Sequence, residues 1–169
     1  MLAWLKGRAI ALFVKLLKLN MELSAKEKGN LTELQCITAF YQLGYQVSIP
    51  YGENSRYDFI ADVNGKLIRV QVKTSSPKRD TTGAISFATA STRINATRNI
   101  THRYTKDEID YFATYWENQC YLIPVEETAS REKTLRFIPP ANGQIKGVSF
   151  AKDYELEVQL AKINNEEDK

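Results

Sequence analysis

The sequence predicts a domain of the α/β or α+β class built around a central β-sheet. Three observations support this class: a capped helix comes first, several strand-like segments follow it, and one pair of these segments forms a clear β-hairpin. The 169 residues are enough for one domain with a buried core. Hydrophobic content of 43% and charged content of 25% are ordinary for a globular protein.

The N-terminal segment differs from the rest of the chain in charge. The first 20 residues carry four of the 23 basic residues and none of the 20 acidic ones, so the remainder is slightly acidic. Arg8, Lys15 and Lys18 share one side at helical spacing, which predicts an amphipathic N-terminal extension over residues 1–27. This helix either binds a membrane surface or, as we favour, packs on the body or is a non-essential extension. Its apolar run is too short to span a membrane, and no cleavage site indicates secretion.

Two rare residue types exclude several function classes. Cys36 and Cys120 lack metal-ligand spacing, so neither a zinc site nor a disulfide framework is expected. This cysteine usage favours a reducing, cytoplasmic location. His102 is the only histidine, which excludes a Ser-His-Asp triad and a His-rich metal site.

The first predicted helix spans Leu31–Leu43. Asn30 is a suitable N-cap, Glu33 completes a capping box with it, and Gly44 is placed to end the helix. Glu33 also lies at the head of the apolar stripe, where an acid is unusual. The residues of that stripe are Cys36, Ile37, Phe40 and Leu43.

The remaining segments are predicted from their composition and alternation. Residues 91–104 are polar and basic without clear periodicity, and residues 156–169 are predicted to be a polar, acidic C-terminal tail. The predicted strands are residues 45–50, 84–90 and 134–139, with two more in residues 110–125 around a Glu-Asn turn.

The segment from Tyr57 to Lys73 is predicted to be a hairpin, because Asn64-Gly65 is the strongest short signal for a type I′ turn. That turn places Asp58 opposite Gln71, with Lys73 one step further on the same face. The opposite, apolar face consists of Phe59, Ala61, Val63, Ile68, Val70 and Val72.

The polar residues at the open end of this hairpin suit a hydrolytic site. Asp58, Glu33 from the helix and the Gln71 amide oxygen are ligands that a hard cation such as Mg²⁺ prefers. Such a cation can polarise a phosphodiester, while Lys73 could orient water or neutralise charge on the phosphate. The combination predicts metal-assisted phosphodiester hydrolysis. The alternative is a solvated sheet face with a surface ion pair between Asp58 and Lys73.

A basic segment follows the hairpin. Seven basic residues and one acid lie between Lys73 and Lys106, which predicts phosphate contacts rather than only a solvated loop. The candidate DNA-binding residues are Lys78, Arg79, Arg93, Arg98 and Arg103.

These residues resemble the motif of the PD-(D/E)XK nuclease superfamily. That motif has an acid on the first helix, an Asp on one strand, and an acid-x-Lys on the paired strand; Glu33, Asp58 and Gln71-Val72-Lys73 match it here. Gln71 replaces the acid, and Tyr57 stands where the motif has Pro. The order GNLTELQ, YGENSRYD, VQVKTS, IDYFATY and CYLIPV, over about residues 28–127, resembles homing endonucleases of cyanobacterial group I introns.

The resemblance implies a restriction-endonuclease-like core, a mixed β-sheet flanked by helices, in a nuclease domain over residues 28–155. It implies Mg²⁺-dependent cleavage of double-stranded DNA, with Mn²⁺ as a substitute. It also implies a homo-oligomer, dimer or tetramer, that needs no other protein and no membrane. The residues it implies are Glu33, Asp58 and Gln71 as metal ligands, and these three with Lys73 as the catalytic set.

Our leading hypothesis is therefore a site-specific DNA endonuclease of the intron-homing type. Three alternatives stay open at this point. One is a structure-selective nuclease such as a Holliday junction resolvase. Another is a DNA-binding module silenced by Gln71, and the most distant is a membrane-associated protein that works through residues 1–20.

Overall fold

The computed structural model describes residues 23–52, 54–94, 99–128 and 131–166, so the predicted N-terminal amphipathic helix lies outside the described residues. No helix within these ranges is long and apolar enough to cross a membrane. The described residues form two α-helices, α1, Ala25–Gln42, and α2, Leu156–Glu166. The strands are β1 Gln46–Ser48, β2 Phe59–Val63, β3 Lys66–Val72, β4 Ser76–Pro77, β5 Ala84–Ala88, β6 Ala90–Ile94, β7 Asn99–Arg103, β8 Tyr111–Trp116, β9 Gln119–Pro124 and β10 Glu132–Arg136.

The predicted central mixed sheet is confirmed. Its five strands lie in the order β1-β2-β3-β8-β9, and only the β3–β8 pair is parallel. Two smaller antiparallel sheets accompany it: a three-stranded sheet in the order β10-β5-β4 and a two-stranded ribbon formed by β6 and β7.

The predicted hairpin and its register are confirmed. Asn64 and Gly65 have φ values of 54° and 100°, as a type I′ turn requires. Phe59 pairs with Val70, and Val63 pairs with Lys66. A one-residue slip would have moved every apolar side chain of the hairpin to the wrong face, which is why the pattern alone determines the register.

The core occupies both faces of the central sheet. On one face, the apolar side of the hairpin packs with α1 and α2, which contribute Cys36, Phe40, Leu156, Leu160 and Ile163. On the other face, the smaller three-stranded sheet covers β8 and β9. Both faces of the sheet are therefore buried where β8 and β9 lie, as is expected for the central sheet of an α/β domain.

The start of α1 corrects the sequence prediction. Ser24 is the N-cap: its hydroxyl accepts a hydrogen bond from the Glu27 N–H at 3.3 Å, and the Glu27 carboxylate accepts one from the Ser24 N–H at 2.8 Å. This capping box has the same spacing as the predicted one at Asn30 but comes six residues earlier, and the helix continues through Gly29. Gly44, with φ of 87°, follows the helix as predicted. Leu43 was predicted to belong to the buried apolar stripe of the helix, but it is 41% exposed.

Two segments have more structure than the sequence indicated. Residues 156–166, predicted to be a polar tail, form α2, with Leu156, Leu160 and Ile163 buried at helical spacing. Within residues 91–104, in which no periodicity was visible, residues 91–94 and 99–103 belong to the β6–β7 ribbon. The strand predicted at residues 134–139 lies slightly earlier, as β10.

An Arg–Asp contact secures the parallel pairing of β3 with β8. The Asp110 carboxylate accepts hydrogen bonds from the Arg69 backbone N–H at 2.8 Å, from Nε at 3.0 Å and from Nη2 at 2.9 Å. Parallel strands cannot be joined by a tight turn, so a side-chain contact at the point of entry helps to fix their alignment. The contact brings β8 beside Gln71 and Val72.

Candidate active site

Asp58 is held at the open end of the hairpin by the neighbouring strand. Its backbone N–H donates to the Val70 carbonyl at 2.8 Å, just before β2 begins. Its Oδ2 accepts hydrogen bonds from the Val72 N–H at 2.6 Å and from Gln71 Nε2 at 2.5 Å. The predicted juxtaposition of Asp58 and Gln71 is therefore present. One carboxylate oxygen is occupied by the protein, which leaves the other as the natural ligand for a cation.

Gln71 is buried and uses its amide nitrogen rather than its oxygen toward Asp58. Besides the bond to Asp58, Nε2 donates to the Val72 carbonyl at 3.2 Å. In this arrangement Gln71 acts as a hydrogen-bond donor that orients the Asp58 carboxylate. A half-turn of the amide would present its oxygen instead, since an amide carries a donor and an acceptor on the same planar group.

Glu33 lies on α1 at a partly buried position close to Asp58. Burial first, and then the negative charge of Asp58, raise the pKa of the Glu33 carboxyl. Burial also raises the pKa of Asp58, although the Val72 N–H and the charge of Lys73 act in the opposite direction. The two predicted carboxylates therefore share one electrostatic environment in which their ionised forms are undercompensated.

The donor set fits a divalent cation with oxygen ligands. Two carboxylates with raised pKa values would be stabilised in their ionised forms by a cation between them, and Mg²⁺ is bound through one or two carboxylates plus waters. No group of three or more acidic, cysteine or histidine side chains with metal-binding geometry occurs among the described residues. The side chains here that could hold such a cation are Glu33, Asp58 and, after rotation of its amide, Gln71.

Lys73 follows β3 directly and faces the same site. Its backbone N–H donates to the Ala113 carbonyl at 2.9 Å, which ties it to β8. Its Nζ donates to the Tyr104 hydroxyl at 3.1 Å and lies 4.9 Å from the centre of the Tyr104 ring. The Lys73 ammonium group therefore contacts both the hydroxyl and the ring of Tyr104, a residue that the sequence did not identify as part of the site.

The basic candidates for DNA binding divide into three groups. Lys78 forms an ion pair with Glu132 next to β4, so its charge is already used within the protein. Arg79 and Arg103 are exposed, and Arg103 ends strand β7. Arg93 belongs to β6, and Arg98 lies outside the described residues. The ribbon therefore carries two of the five candidates on its strands.

Two further residues complete the surroundings of Lys73. The Arg56 guanidinium lies 4.1 Å from the centre of the Tyr104 ring, and its Nε donates to Glu108 Oε1 at 2.9 Å. Arg56 is two residues before Asp58, but Tyr104 is 31 residues after Lys73. No spacing rule links Tyr104 to the site; only the fold of the ribbon and the strands brings it there.

Comparisons with known proteins place these features in context. The sequence pattern of a family described as PD-(D/E)XK endonuclease matches residues 23–157. The solved structure of a bacterial homing endonuclease, I-Ssp6803I, is similar with a TM-score of 0.67 and 25% sequence identity. The similarity covers 85% of this chain and 99% of that one. No curated protein matches the sequence.

Proposed function

The chain belongs to the PD-(D/E)XK endonuclease family, and we propose that it is a site-specific endonuclease of the intron-homing type that cleaves double-stranded DNA. The observation that carries this proposal is the meeting of Glu33, Asp58, Gln71 and Lys73 at the open end of one hairpin. The similarity to a bacterial homing endonuclease over almost all of that protein supports the homing type in particular.

We assign the following roles within this site. Nucleases of this family generally use a divalent metal, usually Mg²⁺. We propose that Glu33 and Asp58 hold Mg²⁺, with Mn²⁺ as a substitute. When bound, the cation supplies Lewis-acid activation of the phosphodiester and of water. Gln71 orients Asp58 through its amide nitrogen at 2.5 Å. Lys73 contributes positive charge beside the reacting phosphate, where negative charge develops.

We propose that DNA contacts come from the β6–β7 ribbon and its surroundings. A two-stranded ribbon is of a width that the major groove admits. Arg103 is an exposed basic side chain of the ribbon, Arg79 is exposed after β4, and Arg93 and Arg98 belong to the same segment of sequence as the ribbon. We further propose that the protein works as a homo-oligomer, because the described part of the chain contains one such site and a duplex has two strands to cut. We also propose an intracellular location, on the ground of the cysteine usage of the sequence.

The test is a cleavage assay that maps DNA ends. The wild-type protein is incubated, with and without Mg²⁺, with genomic DNA of the source organism cured of any intron and with a synthetic four-way junction. We expect Mg²⁺-dependent ends clustered at one locus. Asp58→Ala and Lys73→Ala should each lower the cleavage rate about 100- to 1,000-fold, since each removes electrostatic stabilisation of the reacting groups.

The matched control is Lys146→Ala, which removes an exposed lysine from the loop after β10. This variant should cleave at the wild-type rate. Cutting confined to the junction would instead favour a resolvase. Salt-sensitive binding of DNA without any cutting would identify a binding module in which Gln71 has silenced the site.

A further inference from the structure

We propose that Tyr104 is a positioning residue for Lys73 and that Arg56 holds Tyr104 in place. This inference rests on the proposed function, because it assigns Lys73 to the cleavage of DNA. Its starting point is the hydrogen bond of 3.1 Å from Lys73 Nζ to the Tyr104 hydroxyl.

A lysine at a hydrolytic site can stabilise the reacting phosphate only if its ammonium group is kept in a defined position. Its side chain has four flexible carbons, and immobilising it costs conformational entropy. The contact with Tyr104 supplies part of that ordering before DNA binds. An ammonium group has three N–H donors, so a bond to one hydroxyl leaves donors for the phosphate or the attacking water.

Tyr104 is itself immobilised from two sides. The edge of its ring meets the fully buried Phe112 at a centroid distance of 5.3 Å and an interplanar angle of 85°. The guanidinium of Arg56 covers the ring at 4.1 Å. Aromatic edge contacts and guanidinium stacking both depend on orientation, so together they restrict the direction in which the hydroxyl points.

Arg56 is fixed by contacts to the ribbon and to the loop after it. Its Nη1 donates to the Ser91 hydroxyl at 3.2 Å, and its Nε donates to Glu108. Glu108 also accepts a hydrogen bond from the Thr105 N–H at 3.1 Å, and its carboxylate lies 3.2 Å from His102 Nε2. Arg56, two residues before Asp58, is therefore bonded directly to Ser91 on β6 and is connected through Glu108 to His102 on β7.

The electrostatics and burial of this link favour a fixed geometry. Burial raises the pKa of Glu108, but the Thr105 N–H and the charges of Arg56 and His102 outweigh this effect and lower it overall. Arg56 Nη2 is buried and has no hydrogen-bond partner among the described residues. Leaving such a buried donor unsatisfied is unfavourable for folding. The placement of Arg56 is therefore not explained by stability alone, which supports a role in the site.

The experiment compares Tyr104→Phe with a matched control, Tyr154→Phe. Phenylalanine keeps the ring on which Arg56 stacks and removes only the hydroxyl that holds Lys73. Tyr154 makes the same kind of pair elsewhere: Lys133 Nζ donates to its hydroxyl at 3.2 Å and lies 4.6 Å from its ring centre. Both proteins are assayed on the DNA that the wild type cleaves, together with DNA binding and thermal unfolding.

We expect Tyr104→Phe to lower kcat about tenfold, with KM and the affinity for DNA unchanged. A loss in kcat alone is the result expected when a group acts on the reaction rather than on binding. Tyr154→Phe should keep the wild-type kcat even if it unfolds at a lower temperature. Arg56→Lys, which keeps the charge but lacks the planar fork, should lower kcat in the same direction as Tyr104→Phe.

A second readout does not depend on cleavage. Lysines in the full-length proteins are labelled with a limiting amount of an amine-reactive anhydride and quantified by mass spectrometry. Tyr104→Phe should increase labelling of Lys73 relative to Lys133, and Tyr154→Phe should have the reverse effect. A Tyr104→Phe protein with wild-type kcat and wild-type labelling of Lys73 would overturn the inference. A wild type that cleaves no DNA would overturn the proposed function, while the labelling result would still decide whether Tyr104 holds Lys73.

Discussion

Glu33 and Asp58 are the residues whose charges are least compensated in the candidate site. Each has its pKa raised by burial, and Glu33 also by the charge of Asp58. Within the described residues, Lys73 is the basic side chain whose charge opposes this effect at Asp58. The site therefore resembles many functional sites, in which local stability is lower than it would be with uncharged residues.

This imbalance predicts a stabilising substitution. A carboxyl whose pKa is higher in the folded than in the unfolded chain destabilises the fold once it is ionised. Glu33→Gln should therefore raise the midpoint of thermal unfolding at neutral pH in the presence of EDTA. Its advantage should disappear as the pH falls below the ordinary carboxyl range, about 4.3 for Glu, because wild-type Glu33 is then protonated in both states.

The same variant should respond less to Mg²⁺, since a ligand that binds only the folded state stabilises it by mass action. Glu157→Gln, on the exposed face of α2, serves as the control and should show neither effect. An unchanged or lower unfolding midpoint for Glu33→Gln in EDTA would contradict this account. Calorimetry across a pH series measures all three proteins under one set of conditions.

Among the elements, α2 departs most from what its sequence indicates. Its apolar residues are spaced at helical intervals, but polar residues between them and the acidic end after them dominate its composition. Leu160 and Ile163 are nevertheless buried against the central sheet, in the same cluster as Cys36 and Phe40 of α1. The helix closes one face of the core and is not an appendage.

Substitutions in α2 test whether this helix is part of the core or a peripheral appendage. Leu160→Ala should destabilise the protein by about 2–5 kcal/mol, because it removes a fully buried side chain from a packed core. Val158→Ala, on the same helix but 38% exposed, should change stability by about 0.5 kcal/mol or less. Chemical denaturation measures both. Equal, small effects for the two variants would mean that α2 contributes little to the core.

At the scale of the whole molecule, the described residues contain one candidate active site, at one edge of the central sheet. The two strands of a DNA duplex run in opposite directions, so a double-strand break requires two attacks. A symmetric pair of chains supplies two sites with the matching opposite orientation. The proposed oligomer follows from this geometry together with the resemblance to homing endonucleases.

Mixed assemblies test the oligomer. Wild-type and Lys73→Ala chains are co-expressed at different ratios, and supercoiled plasmid containing the target is digested. If two chains cut the two strands, mixed assemblies should nick the plasmid, and nicked product should be highest near equal amounts of the two chains. If each chain cuts both strands alone, linear product should instead fall in proportion to the wild-type fraction, without extra nicking.

Local signals were sufficient for part of this fold and of its site. The Asn64-Gly65 turn and the alternation beside it determine the register of β2 and β3, and hence the pairing of Asp58 with Gln71. Both depend on residues close in sequence, where turn geometry and the two-residue period of a strand act directly. The start of α1 was predicted six residues too late, at Asn30, because the capping box that begins the helix is formed by Ser24 and Glu27.

The sequence by itself therefore determined the hairpin, the class of the fold and the four residues proposed to act on DNA. Only the tertiary structure decided that α2 belongs to the core, that residues 91–94 and 99–103 pair as a ribbon, and that Tyr104, stacked on Arg56, contacts Lys73. The sequence of the ribbon has no alternating apolar pattern from which its strands could be predicted. Tyr104 and Lys73 are separated by 31 residues in the sequence. Such contacts arise from the closure of the whole sheet, since long-range neighbours are set by packing and not by any local preference of the residues concerned.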